Sequence, residues 1–214
     1  AIGGPTTEYV TSGDVLVSDI TVLDPNPSSR VKRTALTLAT GMHVARFNNG
    51  TWRISPRGFN GSSPNKLLVM VDGRTVYSPL FAGVFWNTLD YVLEDIDRIE
   101  VIRGPGTVLW GANAVNGVVN IITRHSRDTQ GVLASFTSGN EDPAIAQVRY
   151  GARAGAATWR VYGKLALRDD QKFASGLSSG DRIHRGQGGF RLDSAAGGTP
   201  WLVQGGAFHS RAGL

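Results

Sequence analysis

In the last third of the chain, residues 131–210, apolar and polar side chains alternate with a period of two, the spacing that sends successive side chains to opposite faces of a strand. In Ala146-Gln147-Val148-Arg149-Tyr150 the apolar set is Ala146, Val148 and Tyr150; the polar set is Gln147, Arg149 and, further on, Arg153. Between Trp159 and Arg168, one face carries Trp159, Val161, Leu165 and Leu167, and the other Arg160, Tyr162, Lys164 and Arg168. Between Gly186 and Asp193, Phe190 and Leu192 oppose Gln187, Arg191 and Asp193, and Trp201 to Ser210 forms a less regular further strand. The connections are polar: residues 139–143, 155–157, a long loop from Asp169 to Asp181, and 195–200. On alternation alone, the favoured reading is a soluble antiparallel sheet with one wet face.

The preceding segment, residues 31–125, has a different texture and predicts a compact α/β unit. Thr34 to Thr40 is expected to form a short helix closed by Gly41. Met42 to Phe47 and Thr51 to Ser55 read as strands around Asn48-Asn49-Gly50, because Asn-Gly tolerates positive φ. Lys66 to Asp72 is the clearest strand and stops at Asp72-Gly73. Asn87 to Asp95 is expected to be a short helix with Leu89, Val92 and Leu93 on one face, and Arg98 to Arg103 and Val118 to Thr123 are expected strands. Residues 1–30 are polar and turn-rich, with short strands expected only at Val15-Leu16-Val17 and Ile20-Thr21-Val22.

Composition narrows the function classes. Of 214 residues, 41% are hydrophobic and 18% charged, which is globular rather than disordered. With no cysteine, a disulfide framework and a thiolate metal site are both excluded. The net charge is +5, but the arginines are dispersed and no nucleic-acid motif accompanies them, so nucleic acid is not an expected partner. His43, His125, His184 and His209 lie far apart with neither metal-ligand spacing nor a nucleophile or paired carboxylate beside them; no metal, cofactor or catalytic activity is expected. Gly104-Pro105-Gly106 with Gly111 lacks the Lys-Ser/Thr of a phosphate loop, and its glycines fit tight turns. No apolar run approaches the roughly 20 residues of a transmembrane helix. The start at Ala1 fits either a removed signal peptide or a fragment.

Four segments in order then carry a resemblance: Arg57-Gly58-Phe59; Leu67 to Arg74 (LLVMVDGR); Ile96 to Gly106 (IDRIEVIRGPG); and Trp110 to Thr123 (WGANAVNGVVNIIT). Together they resemble the plug domain of TonB-dependent outer-membrane receptors. That resemblance implies an α+β plug, a small mixed sheet with short helices, followed by antiparallel strands of an incomplete outer-membrane β-barrel. It implies three regions: a poorly matched segment at 1–30, the plug at 31–127, and about five initial strands of a 22-stranded barrel at 128–214, the first starting near Gln130. The apolar faces would meet lipid, and the arginine-rich faces the plug and water. Five strands cannot close a barrel, and an open sheet leaves unpaired edges in lipid, so the chain is expected to be a truncated piece of a transporter.

The resemblance also implies sites and partners. The outward plug loops would touch the ligand, an iron chelate (siderophore), haem or vitamin-like molecule: the residues are Asn48 and Asn49, followed by Tyr77, Leu80, Phe81, Phe85 and Trp86. A second reading packs these aromatics against the barrel wall. Arg57, Glu100 and Arg103 would pair with barrel charges, or stand solvated at strand ends. Asp19, Ile20, Thr21, Val22 and Leu23 form a faint candidate for the segment that pairs with TonB of the energy-transducing inner-membrane complex by strand addition. The expected location is the cell outer membrane, in contact with its lipid, with the plug toward the periplasm. A periplasmic plug-like interaction module without transport activity is the alternative.

Overall fold

The computed structural model describes residues 6–11, 42–56, 66–78, 80, 83–103, 107–111, 113–140 and 142–213. They fall into two units: residues 1–47 with 51–123, and residues 48–50 with 124–214. The expected helix at Thr34 to Thr40 and the short strands at 15–17 and 20–22 lie outside the described residues.

The first unit is built on a five-stranded mixed sheet in the order β1-β8-β9-β4-β5. Its strands are β1 (Thr6–Thr11), β4 (Leu67–Val71), β5 (Arg74–Thr75), β8 (Ile96–Arg103) and β9 (Gly117–Thr123). β4 runs parallel to β9, and the other pairs are antiparallel. β4 is apolar without alternation because both its faces are covered, and all five of its residues are buried. Leu67, Val69 and Val71 join a core with Ile54, Trp86, Leu89, Ile99 and Ile121, while Leu68 and Met70 meet Ile102, Ala114 and Val118 on the other side. Each such side chain, fully buried, contributes about 1.5–3 kcal/mol. Asp72 and Gly73 turn β4 into β5 with φ of 49° and 78°, which explains the Asp-Gly pair. The Asp72 carboxylate then accepts from the Thr123 amide and hydroxyl, both at 2.8 Å, fastening this turn to the end of β9.

Two small hairpins complete the unit: β2 (Met42–Arg46) with β3 (Trp52–Pro56), and β6 (Tyr77–Ser78) with β7 (Gly83–Val84). The expected helix at Asn87 to Asp95 is corrected to two single 3-10 turns, Trp86–Thr88 and Leu93–Asp95. Asn, Thr and Asp in this stretch favour local turns over a helix, and neither turn has a side-chain cap. The sidedness holds: Leu89 and Val92 are buried and Leu93 packs against the core. Among the described residues the only α-helix is the four-residue α1 (Thr107–Trp110).

The second unit is an antiparallel meander, β10 (Gly131–Thr137), β11 (Ala144–Ala154), β12 (Ala157–Arg168), β13 (Ile183–Ser194) and β14 (Trp201–Ala212), paired in sequence order. The last four strands are 11 or 12 residues long; β11 and β13 extend past the alternating stretches at both ends, β12 and β14 at one. Gly151 on β11 lies so near the end of the 3-10 segment Ser126–Thr129 that an added Cβ would collide with the Thr129 carbonyl, which accounts for glycine there. The described meander is an open sheet, not a closed barrel.

Candidate functional site

The meander distributes its side chains in the reverse of a soluble sheet. Gln147, Arg149, Arg160, Lys164, Arg168, Arg191 and Asp193 are buried. Val148, Tyr150, Val161, Leu165, Leu167 and Phe190 are exposed. The register explains the split, since Gln147 faces Lys164 and Arg160 faces Arg191, while Tyr150 faces Val161, which in turn faces Phe190. Buried charge demands partners. Arg168 Nε lies 2.9 Å from Asp142 Oδ1, with side chains 8% and 2% exposed. Arg191 donates twice to Asp193, each bond 2.8 Å, and Asp193 also accepts from the Ser126 amide at 2.9 Å. Arg160 donates to the Arg124 carbonyl at 2.5 Å and to the Thr129 hydroxyl at 3.3 Å. These bonds fix the 3-10 segment Ser126–Thr129, which leads into β10, against β12 and β13.

At the other end of the meander, the loop between β12 and β13 is gathered around Asp181. Its carboxylate accepts from the Gln171 amide at 2.8 Å, from the Ser179 hydroxyl, and from the Asn49 amide at 2.8 Å. Burial pushes this carboxyl up, but the Ser179 hydroxyl and then the Gln171 and Asn49 amides outweigh it and hold it below its ordinary value. Asn49 also donates its side-chain amide to the Asp169 carbonyl at 2.7 Å and is 2% exposed. The Asn48 carbonyl oxygen accepts from Gly50 at 2.9 Å, an Asx turn that shapes the bend.

Of the ligand-facing residues expected from sequence, Leu80 and Phe85 stand exposed at 81% and 41%. Tyr77 is half-buried in the β6–β7 hairpin. Trp86 belongs to the first unit's core and presents no surface, because the 3-10 turn it begins directs the largest apolar side chain of the segment inward. Asn49 is likewise consumed by loop contacts, which leaves Asn48 as the accessible amide of the turn. Phe81 lies outside the described residues. Sequence reasoning passed over Phe47, which is 63% exposed with the Arg53 guanidinium 4.4 Å from its ring centre. Its position immediately before Asn-Asn-Gly was the available signal. The loop carboxylate Asp181 was also missed, and nothing local in the sequence marks it as the group that receives Asn49.

Among the charges expected to pair with a barrel wall, Glu100 accepts from Arg98 at 2.9 Å and from the Asn120 side-chain amide at 3.0 Å, both inside the first unit. Arg103 ends β8 opposite Gly117, and Arg57 lies outside the described residues, as does the Asp19 to Leu23 segment. The strand nearest the N-terminus is β1, paired antiparallel to β8.

With this geometry in place, comparison with known proteins is informative. A family model described as TonB-dependent Receptor Plug Domain matches residues 11–118. The chain is 38% identical over 85 residues to the vitamin B12 transporter BtuB of Vibrio vulnificus, covering 40% of this chain and 13% of that protein. It is 37% identical over 139 residues to an iron-regulated outer membrane virulence protein of Vibrio cholerae, covering 58% and 21% respectively. Among solved structures, the copper transporter OprC superposes with a TM-score of 0.70 at 21% identity over 100% of this chain and 33% of its own, a likeness of fold. The chain spans a third or less of each of these proteins.

Proposed function

The chain belongs to the TonB-dependent receptor plug-domain family, and on that premise we propose that it supplies the plug and the first wall strands of an outer-membrane receptor that takes up a small iron-chelate- or vitamin-like ligand. In this reading residues 31–127 are the plug that gates the pore, and residues 128–214 begin the wall. One observation carries it: the meander exposes its apolar face and buries its charged one. Water does not stabilise that arrangement, whereas a hydrocarbon solvent around the apolar face does. Strand length agrees. Twelve residues extend about 40 Å, and a tilt of about 45° reduces this to the thickness of a bilayer core. The 14-residue connection 169–182 sits at one end of the sheet and the brief Gly155-Ala156 turn at the other. On the rule that outer-membrane strands have long outer loops and short periplasmic turns, the Asp181 end faces outward.

In this reading the exposed Phe47, Leu80 and Phe85 of the first unit are ligand contacts, and Asn48 of the second unit is a separate one; aromatic and amide groups suit a flat or catecholate-like molecule. Arg57 and Arg103 remain proposed contacts to the wall, and the N-terminal segment including Asp19 to Leu23 a proposed contact to TonB by strand addition.

The test is a nitroxide scan in bilayers of the receptor whose wall these strands begin. A label at Val148, Val161 or Leu165 is expected to collide with lipid-soluble oxygen in preference to an aqueous nickel chelate, and labels at Gln147 and Lys164 to lose that preference. Greater access to the chelate at Val161 would overturn the membrane reading and favour the periplasmic interaction module.

A further inference from the structure

Directly opposed residues of an antiparallel ladder share a face, so the register traces the apolar face of the meander position by position. On β12 this face carries Trp159, Val161, Leu165 and Leu167, and on the other strands the residues level with them. None of the paired positions on it is Asp or Glu. The side chains on it that are or can become cationic all lie at one end: His184 is level with Leu167 and with Arg211, and His209 is level with Gly186 and, through it, with Leu165. His184, His209 and Arg211 are exposed, and among the described residues none of them has an ion-pair partner. The carboxylates of the adjoining loop are engaged elsewhere: Asp170 accepts from the Arg182 amide at 2.7 Å, and Asp181 from the Gln171 and Asn49 amides and the Ser179 hydroxyl.

Where these residues stand decides what they can do. β13 begins at Ile183 and β14 ends at Ala212, so His184 and Arg211 are one residue from the rim, with His209 about 7 Å further along β14. A charge on a lipid-facing strand is costly at the bilayer midplane and nearly free at the interface. The opposite rim of the same face has Trp159 and Trp201 instead, with Tyr150 edge-on to Trp159, ring centres 5.6 Å apart. Aromatic rings of that kind sit beside headgroups of any charge. A guanidinium grouped with two imidazoles is more selective, because its N–H donors match the oxygens of a phosphate. Apolar surface adjoins the group directly. Leu167 is level with His184, and Leu165 lies across Gly186, where an added Cβ would touch its Cδ2 at 3.4 Å.

We propose that His184, His209 and Arg211 bind the phosphate of an anionic lipid in the outward leaflet, with Arg211 supplying the fixed charge, the imidazoles donating N–H bonds, and Leu165 and Leu167 contacting the first acyl carbons. The lipid as source of the phosphate, and the outward leaflet as its place, rest on the outer-membrane reading above. The shared face and its lack of carboxylates rest on the register alone.

The test uses the receptor whose wall these strands begin, in phosphatidylcholine bilayers, with a dansyl label at Ala207→Cys, a position on the same face two residues before His209. Doxyl-labelled phosphatidic acid, added as a minor component, is expected to be enriched at the label about fivefold over doxyl-labelled phosphatidylcholine at the same fraction, as judged by quenching; that is the factor one charge supplies at an anionic membrane surface. A label at Val203→Cys, on the same face toward the other rim, should show no such preference. His184→Gln/His209→Gln/Arg211→Gln should abolish the preference at position 207. The three side chains are exposed, so this variant should fold, and unchanged quenching by the phosphatidylcholine probe checks that it is inserted. Equal enrichment of the two lipids at position 207, a preference that survives in the triple variant, or an equal preference at Val203 overturns the proposal and leaves the membrane reading standing. Quenching by neither lipid overturns the membrane reading itself, and the proposal with it.

Discussion

In the sheet of the first unit the enclosed side chains are Val69, Val71, Val101, Val119 and their apolar neighbours, and the charges of β8, Asp97, Arg98 and Glu100, pair with one another where their side chains are less buried. In the meander the enclosed side chains include four arginines, a lysine and an aspartate, and the exposed ones include Val161, Leu165 and Phe190. Both sheets obey the same period-two geometry. They differ in which solvent their outward faces suit. The first is stabilised by removing apolar area from water; the second is stabilised where its apolar face stays in contact with hydrocarbon and its charges are paired.

The sharpest way to break this contrast is to place a carboxylate in the first core. Val119→Asp puts an unpaired charge where the side chain is 0% exposed and is expected to cost about 4 kcal/mol or more, unfolding the first unit. Limited proteolysis of residues 66–123 would register it. Next in size is Asp142→Ala, which leaves Arg168 buried without its ion-pair partner at 2.9 Å and should cost about 3–5 kcal/mol. Urea unfolding in detergent measures that loss, and adding Arg168→Met should restore most of it. Val161→Arg should cost about 2–4 kcal/mol in a bilayer and, at an exposed site, within about 0.5 kcal/mol in lipid-free solution. An equal cost in both solvents would remove the distinction drawn between the two sheets.

The smallest effect concerns pH. Because the folded Asp181 carboxyl lies below its ordinary value, the stability it contributes is present above that ordinary value and is lost as pH falls through the lowered one. Protection of the Asn49 and Gln171 amides, measured against the intrinsic exchange rate at each pH, should therefore be high near neutrality and fall in acid. Asp181→Asn should make exchange at both faster near neutrality and remove the acid dependence.

Much of the fold was legible because it is local. The strands at 42–47, 51–55, 66–72, 98–103 and 118–123, and the last four strands of the meander, were expected from periodicity and turn chemistry, the first meander strand from the resemblance, and each is present with ends shifted by a few residues. The helix expected at Asn87 to Asp95 failed because an apolar face recurring every three or four residues does not distinguish a helix from 3-10 turns whose apolar residues point the same way. The site was less legible. Asn48 and the exposed Leu80 and Phe85 could be nominated from loop position, but no local signal separates Phe85, which is exposed, from its neighbour Trp86, which is buried.

By itself, the sequence determined the plug family, through four ordered segments, and the alternation that gives the meander two unlike faces. Only the tertiary structure decided which of those faces is enclosed, because period two fixes that the faces differ and says nothing about which of them is covered. It alone also brought Asn49 to Asp181, 132 residues away, and Ser126 to Asp193, 67 residues away. Contacts of that kind depend on register and strand order, which no short stretch of chain encodes.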